Sequence, residues 1–429
     1  MHLARIERTP DGWDIALRPA DAAARQPTAT GEASDHGRRA LLRWRHELIA
    51  AGTDEAWCAE FPKAGLGEGE LVLGYAEMAA EACTSPGAAS FECVAPRPWV
   101  SRRSLHMALR KRGLRVASHA STNARLDGLS FLLAAGVAWT MLLMSALRHV
   151  PMARAIPSEG WLLAAHGEWS NRTRHVLTPA VVSGTPPAAI LVLGRPQGSL
   201  GALQALWKSK LEVDRLPPLI RPWSLRSVLA TIPRAAALSL AAMRLVGQAP
   251  YLPGFMARVA MLYRAHLGAA SAHWWRGRRL QPAQVVYGHT GNADTTLLEL
   301  AQQATGHPTC HVVHGISAGL NFTGRSSTAI FRCAHDAAWH SRLGGYGACR
   351  HLAAEMPTHV EGTHGVLLLT NYAHPMNVEC RATGIAAEQG VLAAVAAAWP
   401  TAGTGYGPLQ WRPHPALAAL PATQQEALR

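Results

Sequence analysis

Residues 284–292 read QVVYGHTGN, and the next stretches are DTTLLELAQQ (294–303) and CHVV (310–313). A short apolar run ends in Gly-His, a helical stretch follows, and a second apolar run comes after it. Strands this short, apolar without alternation and separated by helical stretches, belong to parallel sheets whose connections cross over through helices. The same rhythm continues in both directions. Downstream come TAIF (328–331), a helical stretch over 334–342, GVLLL (365–369), an Ala- and Val-rich helix over 386–398, and a run at 409–412. Upstream come WLLAA (161–165) and AAILVL (188–193), the latter ended by Gly194-Arg195-Pro196. The repetition predicts an α/β chain of Rossmann-type parallel sheets with helices on both faces.

The segment before residue 160 has a different character. Residues 1–19 alternate polar and apolar and do not read as a signal peptide. Residues 28–37 are polar, with Gly, Ser and Asp, and read as a loop. Residues 102–116 (RRSLHMALRKRGLRV) read as a basic helix, Gly113 and a short strand. Residues 129–147 (LSFLLAAGVAWTMLLMSAL) carry no charge and lie between Arg125 and Arg148. A membrane span needs about 20 apolar residues, so three readings stand: a buried helix, a helix lying on the membrane, and a span. Residues 225–246 form a second apolar helix, carrying Arg226, Arg234 and Arg244, that is either interfacial or an ordinary core helix. The expected organisation is an N-terminal α+β extension (1–125), an apolar helix (126–158), a first Rossmann-like domain (159–362) and a partial second one (363–429).

Composition narrows the classes. A 429-residue chain that is 48% hydrophobic and 16% charged can bury real cores. Its formal net charge is +13, and of its 41 basic residues only four are Lys, so 37 are Arg. Guanidinium forks suit phosphate, carboxylate or an anionic membrane surface, although a general Arg and Ala bias would give the same totals. No basic run interleaved with aromatics marks a nucleic-acid groove, so no nucleic-acid partner is expected. Seven scattered Cys without a CxxC argue against a disulfide scaffold or a zinc ribbon and point to the cytoplasm. There is no HExxH, and His335 and His340 are five apart, off a common helix face, so no metal is expected. The absence of GxSxG, GxGxxG and the P-loop pattern counts against hydrolase-elbow, dinucleotide and P-loop chemistry. No cofactor is expected.

In a parallel sheet, ligands sit beyond the carboxyl ends of the strands. The residues there are His166-Gly167-Glu168, Gly288-His289-Thr290-Gly291-Asn292, His314-Gly315-Ile316-Ser317, Thr370-Asn371-Tyr372 and Arg412-Pro413-His414-Pro415. A neutral His can take a proton from a hydroxyl near neutral pH, Gly lets a backbone approach a phosphate, and Arg or imidazolium can neutralise a diphosphate leaving group. Ser170, Asn171, Thr173 and Asn292 serve equally well as plain helix N-caps. The candidates are therefore His314 and Glu168 for catalysis, with Gly315, Ser317, His289 and Asn292 lining the cleft.

The order of these motifs resembles the bacterial capsule and teichoic-acid glycosyltransferase group, which includes CDP-glycerol glycerophosphotransferases and polysialyltransferase-like enzymes. VVHGIS (312–317), HDAAWHSRLGGYG (335–347), LLLT (367–370) and WRPHP (411–415) carry the resemblance, over about a third of the chain. It implies the paired Rossmann fold known as GT-B, and transfer of a sugar or glycerophosphate unit from a nucleotide-activated donor to a polysaccharide or lipid-linked acceptor. It makes His314 the base and turns His414 toward the donor phosphate; Arg412, Thr370 and Asn371, at the strand ends named above, are the other donor-binding candidates. Only residues 416–429 follow the last motif, so the second Rossmann domain is expected to be short or truncated. The place implied is the cytoplasm, peripheral at the inner face of the membrane.

Overall fold

A computed structural model of the chain describes residues 2–19, 29–65, 68–95, 98–117, 124–147, 160–166, 187–193, 217–278, 284–313, 324–352, 366–370, 384–402, 408–413 and 426.

The alternation near the N-terminus is a hairpin. Strands β1 (His2–Thr9) and β2 (Gly12–Pro19) pair antiparallel through Thr9 and Gly12, and β3 (Ser90–Ala95) adds to the other side of β1. The period of two puts Ala4, Ile6, Trp13 and Ile15 on one buried face. That face packs on α3 (Glu68–Thr84) and α4 (Pro98–Lys111).

Within the polar stretch 28–37, residues 29–37 are helix and not loop. They open α1 (Ala29–Ala50), which lies along α3. The contact depends on two glycines. A Cβ on Gly37 would fall on the Glu70 carbonyl, and one on Gly74 would fall on the Ala33 carbonyl. Glycine thus lets two backbones touch, and a residue type that reads as a loop former serves here as a packing surface.

Helices α1, α2 (Glu55–Ala64), α5 (Ala124–Leu147), α6 (Leu225–Ala230), α7 (Ile232–Val246) and α8 (Phe255–Arg276) share one apolar core. Leu41, Phe61, Phe131, Leu238 and Leu262 belong to the same cluster, so it runs through the positions 125 and 158. The expected single helix over 225–246 is two helices, parted at Thr231 just before Pro233.

The parallel runs assemble as expected from their rhythm. Strands β4 (Leu162–His166), β5 (Ala189–Leu193), β6 (Leu219–Ile220), β7 (Val285–Tyr287), β8 (Thr309–Val312), β9 (Thr328–Phe331) and β10 (Ala348–His351) form one seven-stranded sheet. Every neighbouring pair is parallel, in the order β10-β9-β8-β7-β4-β5-β6. Counted from β4 as first strand, that is 3-2-1-4-5-6-7, the doubly wound order of Rossmann-like folds. Alternate residues serve the two faces. Leu162, Ala164, Val285 and Tyr287 pack on Trp275 of α8 and Leu298 of α9 (Ala293–Ala304). Ala329 and Phe331 pack on Ala337 of α10 (Ala334–Leu343). Leu163, Ala165, Ile190 and Val286 face the other way and are buried as well.

A further parallel pair stands apart from this sheet. Strands β11 (Val366–Thr370) and β12 (Leu409–Pro413) are linked by α11 (Gly384–Ala402) as one strand–helix–strand unit.

Candidate functional site

The strand order reverses between β4 and β7. In such sheets the crevice beyond their carboxyl ends is the usual place for a ligand. The turn after β7 runs from Gly288 to Asn292 and leads into α9. His289, Thr290 and Asn292 are all buried.

Helix α2 reaches this turn through two charged side chains, Glu60 and Lys63. Glu60, fully buried, accepts a hydrogen bond from the Ala293 amide at 2.8 Å, the first residue of α9. It also receives Nε of Arg264, at 2.8 and 3.0 Å to its two oxygens. A helix N-terminus presents unpaired N–H groups and a positive partial charge, which is why it binds phosphates. Here a carboxylate of the chain itself holds that position. Lys63 Nζ donates to Oδ1 of Asn292, and Glu55 is paired with Arg325.

Lys63 also fixes the state of His289. An ammonium only donates, so the oxygen of the Asn292 amide must face it and the amide nitrogen must face away. That nitrogen lies 3.1 Å from Nε2 of His289. The amide donates, so Nε2 accepts, and His289 carries no proton there. A neutral imidazole with its Nε2 lone pair engaged in this way orients the turn.

A second polar chain runs beside it. His311, in β8, has Nδ1 at 2.7 Å from the Tyr346 hydroxyl and 3.1 Å from Oγ1 of Thr290. Tyr346 follows Gly344 and Gly345, whose φ angles of +69° and +114° only glycine adopts without strain. The turn thereby folds back from α10 to deliver the phenol to the strand ends. Burial of that hydroxyl holds its pKa above the ordinary value, so the phenol keeps its proton. Behind it, Glu299 is fully buried and accepts from the Arg325 amide at 2.9 Å and from the Ser326 hydroxyl. Burial pushes its carboxyl up to about 7, against the lowering from those two donors.

The candidate residues named from sequence fall into three groups. His289 and Asn292 are brought together in the β7–α9 turn. Thr370 and Arg412 lie at the carboxyl ends of neighbouring strands: Thr370 pairs with Pro413, and Leu369 with Arg412. Glu168, His314, Gly315, Ser317, Asn371 and His414 lie outside the described residues, a short distance along the chain from the ends of β4, β8, β11 and β12. Reasoning from sequence missed Glu60, Lys63, His311 and Glu299. Tyr346 was legible only as part of the Gly-Gly-Tyr-Gly motif. Lys63 had one signal, being one of four lysines among 41 basic residues.

Among the described residues, no group of three or more His, Cys, Asp or Glu side chains is placed to hold a metal ion. The six described cysteines are unpaired.

Sheet order and switch-point turn define a Rossmann-like α/β protein. No protein-family model matches the chain, and no curated protein or solved structure matches it.

Proposed function

We propose that the protein is a GT-B-like glycosyltransferase. It transfers a sugar or glycerophosphate unit from a nucleotide-activated donor to a cell-surface polysaccharide or its lipid-linked precursor. One observation carries the reading: two separate sets of parallel strands end in the motifs of the resemblance. The seven-stranded sheet leads through β8 to His314, and the β11–α11–β12 unit ends in Thr370 and Arg412 on adjacent strands. The engagement of the α9 N-terminus by Glu60 supports the same division of labour. With that anion position filled from within, the donor phosphates belong with the second unit and the acceptor with the first.

In this mechanism His314 takes the proton of the acceptor hydroxyl as that oxygen attacks the activated carbon or phosphorus. Arg412 and His414 neutralise the departing nucleotide phosphate. Glu168, two residues after the end of β4 in sequence, is the second catalytic candidate. A cytoplasmic position against the inner face of the membrane, where such acceptors are built, fits this chemistry.

Calorimetric titration of CMP, CDP, UDP and GDP into the full chain tests the donor half. At least one nucleotide should bind, and Arg412→Ala should weaken it about 10- to 150-fold, the worth of a charge-assisted contact. Equal affinity in the variant removes the β12 turn from the site. A second reading, a non-catalytic member of a polysaccharide assembly complex, is favoured by the closed, internally satisfied turn at His289. It predicts no nucleotide binding at all.

A further inference from the structure

Helix α5 has two apolar faces, and among the described residues only one of them is packed against the protein. Phe131, Ala134, Ala138, Leu142 and Ala146 form the buried stripe, spaced three and four apart along nearly the whole helix. Its only carboxylate, Asp127, is held by two buried arginines. Arg103 Nη1 donates to it at 3.1 Å, and Arg258 lies 3.7 Å away. The helix is thus pinned lengthwise along the protein, which a helix crossing a bilayer would not be. Yet Leu126–Leu147 is apolar and long enough to cross a membrane, and only 28% of its apolar window is buried.

The unused face is not an ordinary water-facing surface. It presents Leu129, Leu133 (60% exposed), Val137, Met144 (54%) and Leu147 (64%), again at helical spacing. Its hydroxyl, Thr140, donates to the Gly136 carbonyl of the same helix at 2.9 Å. It therefore asks for no partner from water, which is the condition for a surface immersed in acyl chains. The neighbouring α7 repeats the pattern. Ile232, Ala236 and Leu240 make an exposed stripe four residues apart that ends in the exposed Arg244. Arg226, on α6, is exposed too.

Charge selects the occupant. No Asp or Glu occurs between Asp127 and Glu159, or between Asp214 and Asp294, and the second interval holds ten arginines. Arg234, Arg258 and Arg264 are answered within the chain by Asp54, Asp127 and Glu60, but the exposed Arg226 and Arg244 lie beside the apolar face; a second copy would meet them with like charge, whereas phospholipid phosphates answer them. We infer that α5, with α6 and α7 beside it, lies flat in the headgroup layer of an anionic bilayer. The outer face of α5 enters the acyl boundary while Arg226 and Arg244 meet lipid phosphates. This adds an address to the proposed transferase and is read by lipid binding, not turnover, so the two fail separately.

The test is co-sedimentation of the full chain with vesicles of phosphatidylcholine alone or mixed equally with phosphatidylglycerol. The chain should pellet with the mixed vesicles, less with neutral ones, and be released by 0.5 M salt as the Debye length shrinks to a few ångströms (~3–5 Å). Leu129→Gln with Leu133→Gln, both on exposed positions, should weaken binding about 10-fold or more. Arg226→Gln and Arg244→Gln should each cost about fivefold. Circular dichroism checks that the variants are folded. Wild type that stays in the supernatant with both vesicles overturns the inference. So does equal pelleting with neutral lipid, and so does a dimer in sedimentation velocity that the double Gln variant dissolves.

Discussion

Replacing Glu299 by Gln separates the buried network from the rest of the molecule. The carboxyl is fully buried on α9, with Oε2 accepting from the Arg325 amide and Oε1 from the Ser326 hydroxyl. Burial raises its pKa from an ordinary value near 4.5 to about 7. A carboxyl raised in the fold holds its proton where the unfolded chain has already released it. Its contribution to stability is complete below about pH 4.5 and is lost as pH rises through 7. An interval of that size corresponds to about 3 kcal/mol. Glutamine cannot ionise, can still accept from the Arg325 amide, and can donate to Ser326. His266, present in both proteins, adds its own slope to either curve, because burial lowers its pKa to about 4 and its neutral form loses stability as pH falls from 6.5. The two slopes oppose each other over pH 4.5–6.5, so the comparison must be between variant and wild type. Urea unfolding at pH 5 and pH 8 should show the advantage of Glu299→Gln growing by about 2 to 3 kcal/mol between the two. A difference that stays constant would mean that Glu299 is ionised in the fold.

Glu60→Ala leaves Arg264 without its buried carboxylate and the Ala293 amide without its acceptor, and should cost about 3–5 kcal/mol in urea unfolding; a loss under ~1 kcal/mol would contradict the capping role of α2. Gly74→Ala drives a methyl into the Ala33 carbonyl and should cost at least about 1–3 kcal/mol, seen as a lowered Tm, where an unchanged Tm would deny the close α1–α3 contact. Lys63→Met removes the donor to Asn292 and should cost about 1.5–3 kcal/mol, with the His289 ring signals shifting in NMR as the amide is freed. His314→Ala should slow transfer about 10²- to 10⁴-fold with nucleotide affinity unchanged; a fall in Tm instead would mark a structural histidine.

The seven-stranded sheet was legible because its inner strands are apolar on both faces. VVY, CHVV and AILVL leave little else for the chain to do with them. Ala348–His351 escaped notice for the opposite reason: ACRH is a largely exposed strand at the edge of the sheet, paired with β9 alone among the described residues. Leu219–Ile220 is too short to carry a period. The stretch 28–37 misled because composition registers glycine as a loop former, and the α1–α3 contact that uses it is set by residues some 35 positions away. The site was legible only in its strand ends. Lys63 and Glu60 reach the β7–α9 turn from 229 and 233 positions away in sequence, with no local pattern to announce them.

Acceptor-dependent release of nucleotide measures transfer from a nucleotide-activated donor without any intermediate assay. Purified full-length protein would be given CDP-glycerol and CMP-, UDP- and GDP-sugars in turn, with and without lipid-linked polysaccharide, and the freed nucleotide and products resolved by mass spectrometry. A transferase should release nucleotide from one donor only when the acceptor is present, lengthen the acceptor by one unit, and slow about 10²-fold or more in His314→Ala. Nucleotide released at the same rate without acceptor would make the protein a hydrolase, and no release from any donor would contradict the transferase reading outright.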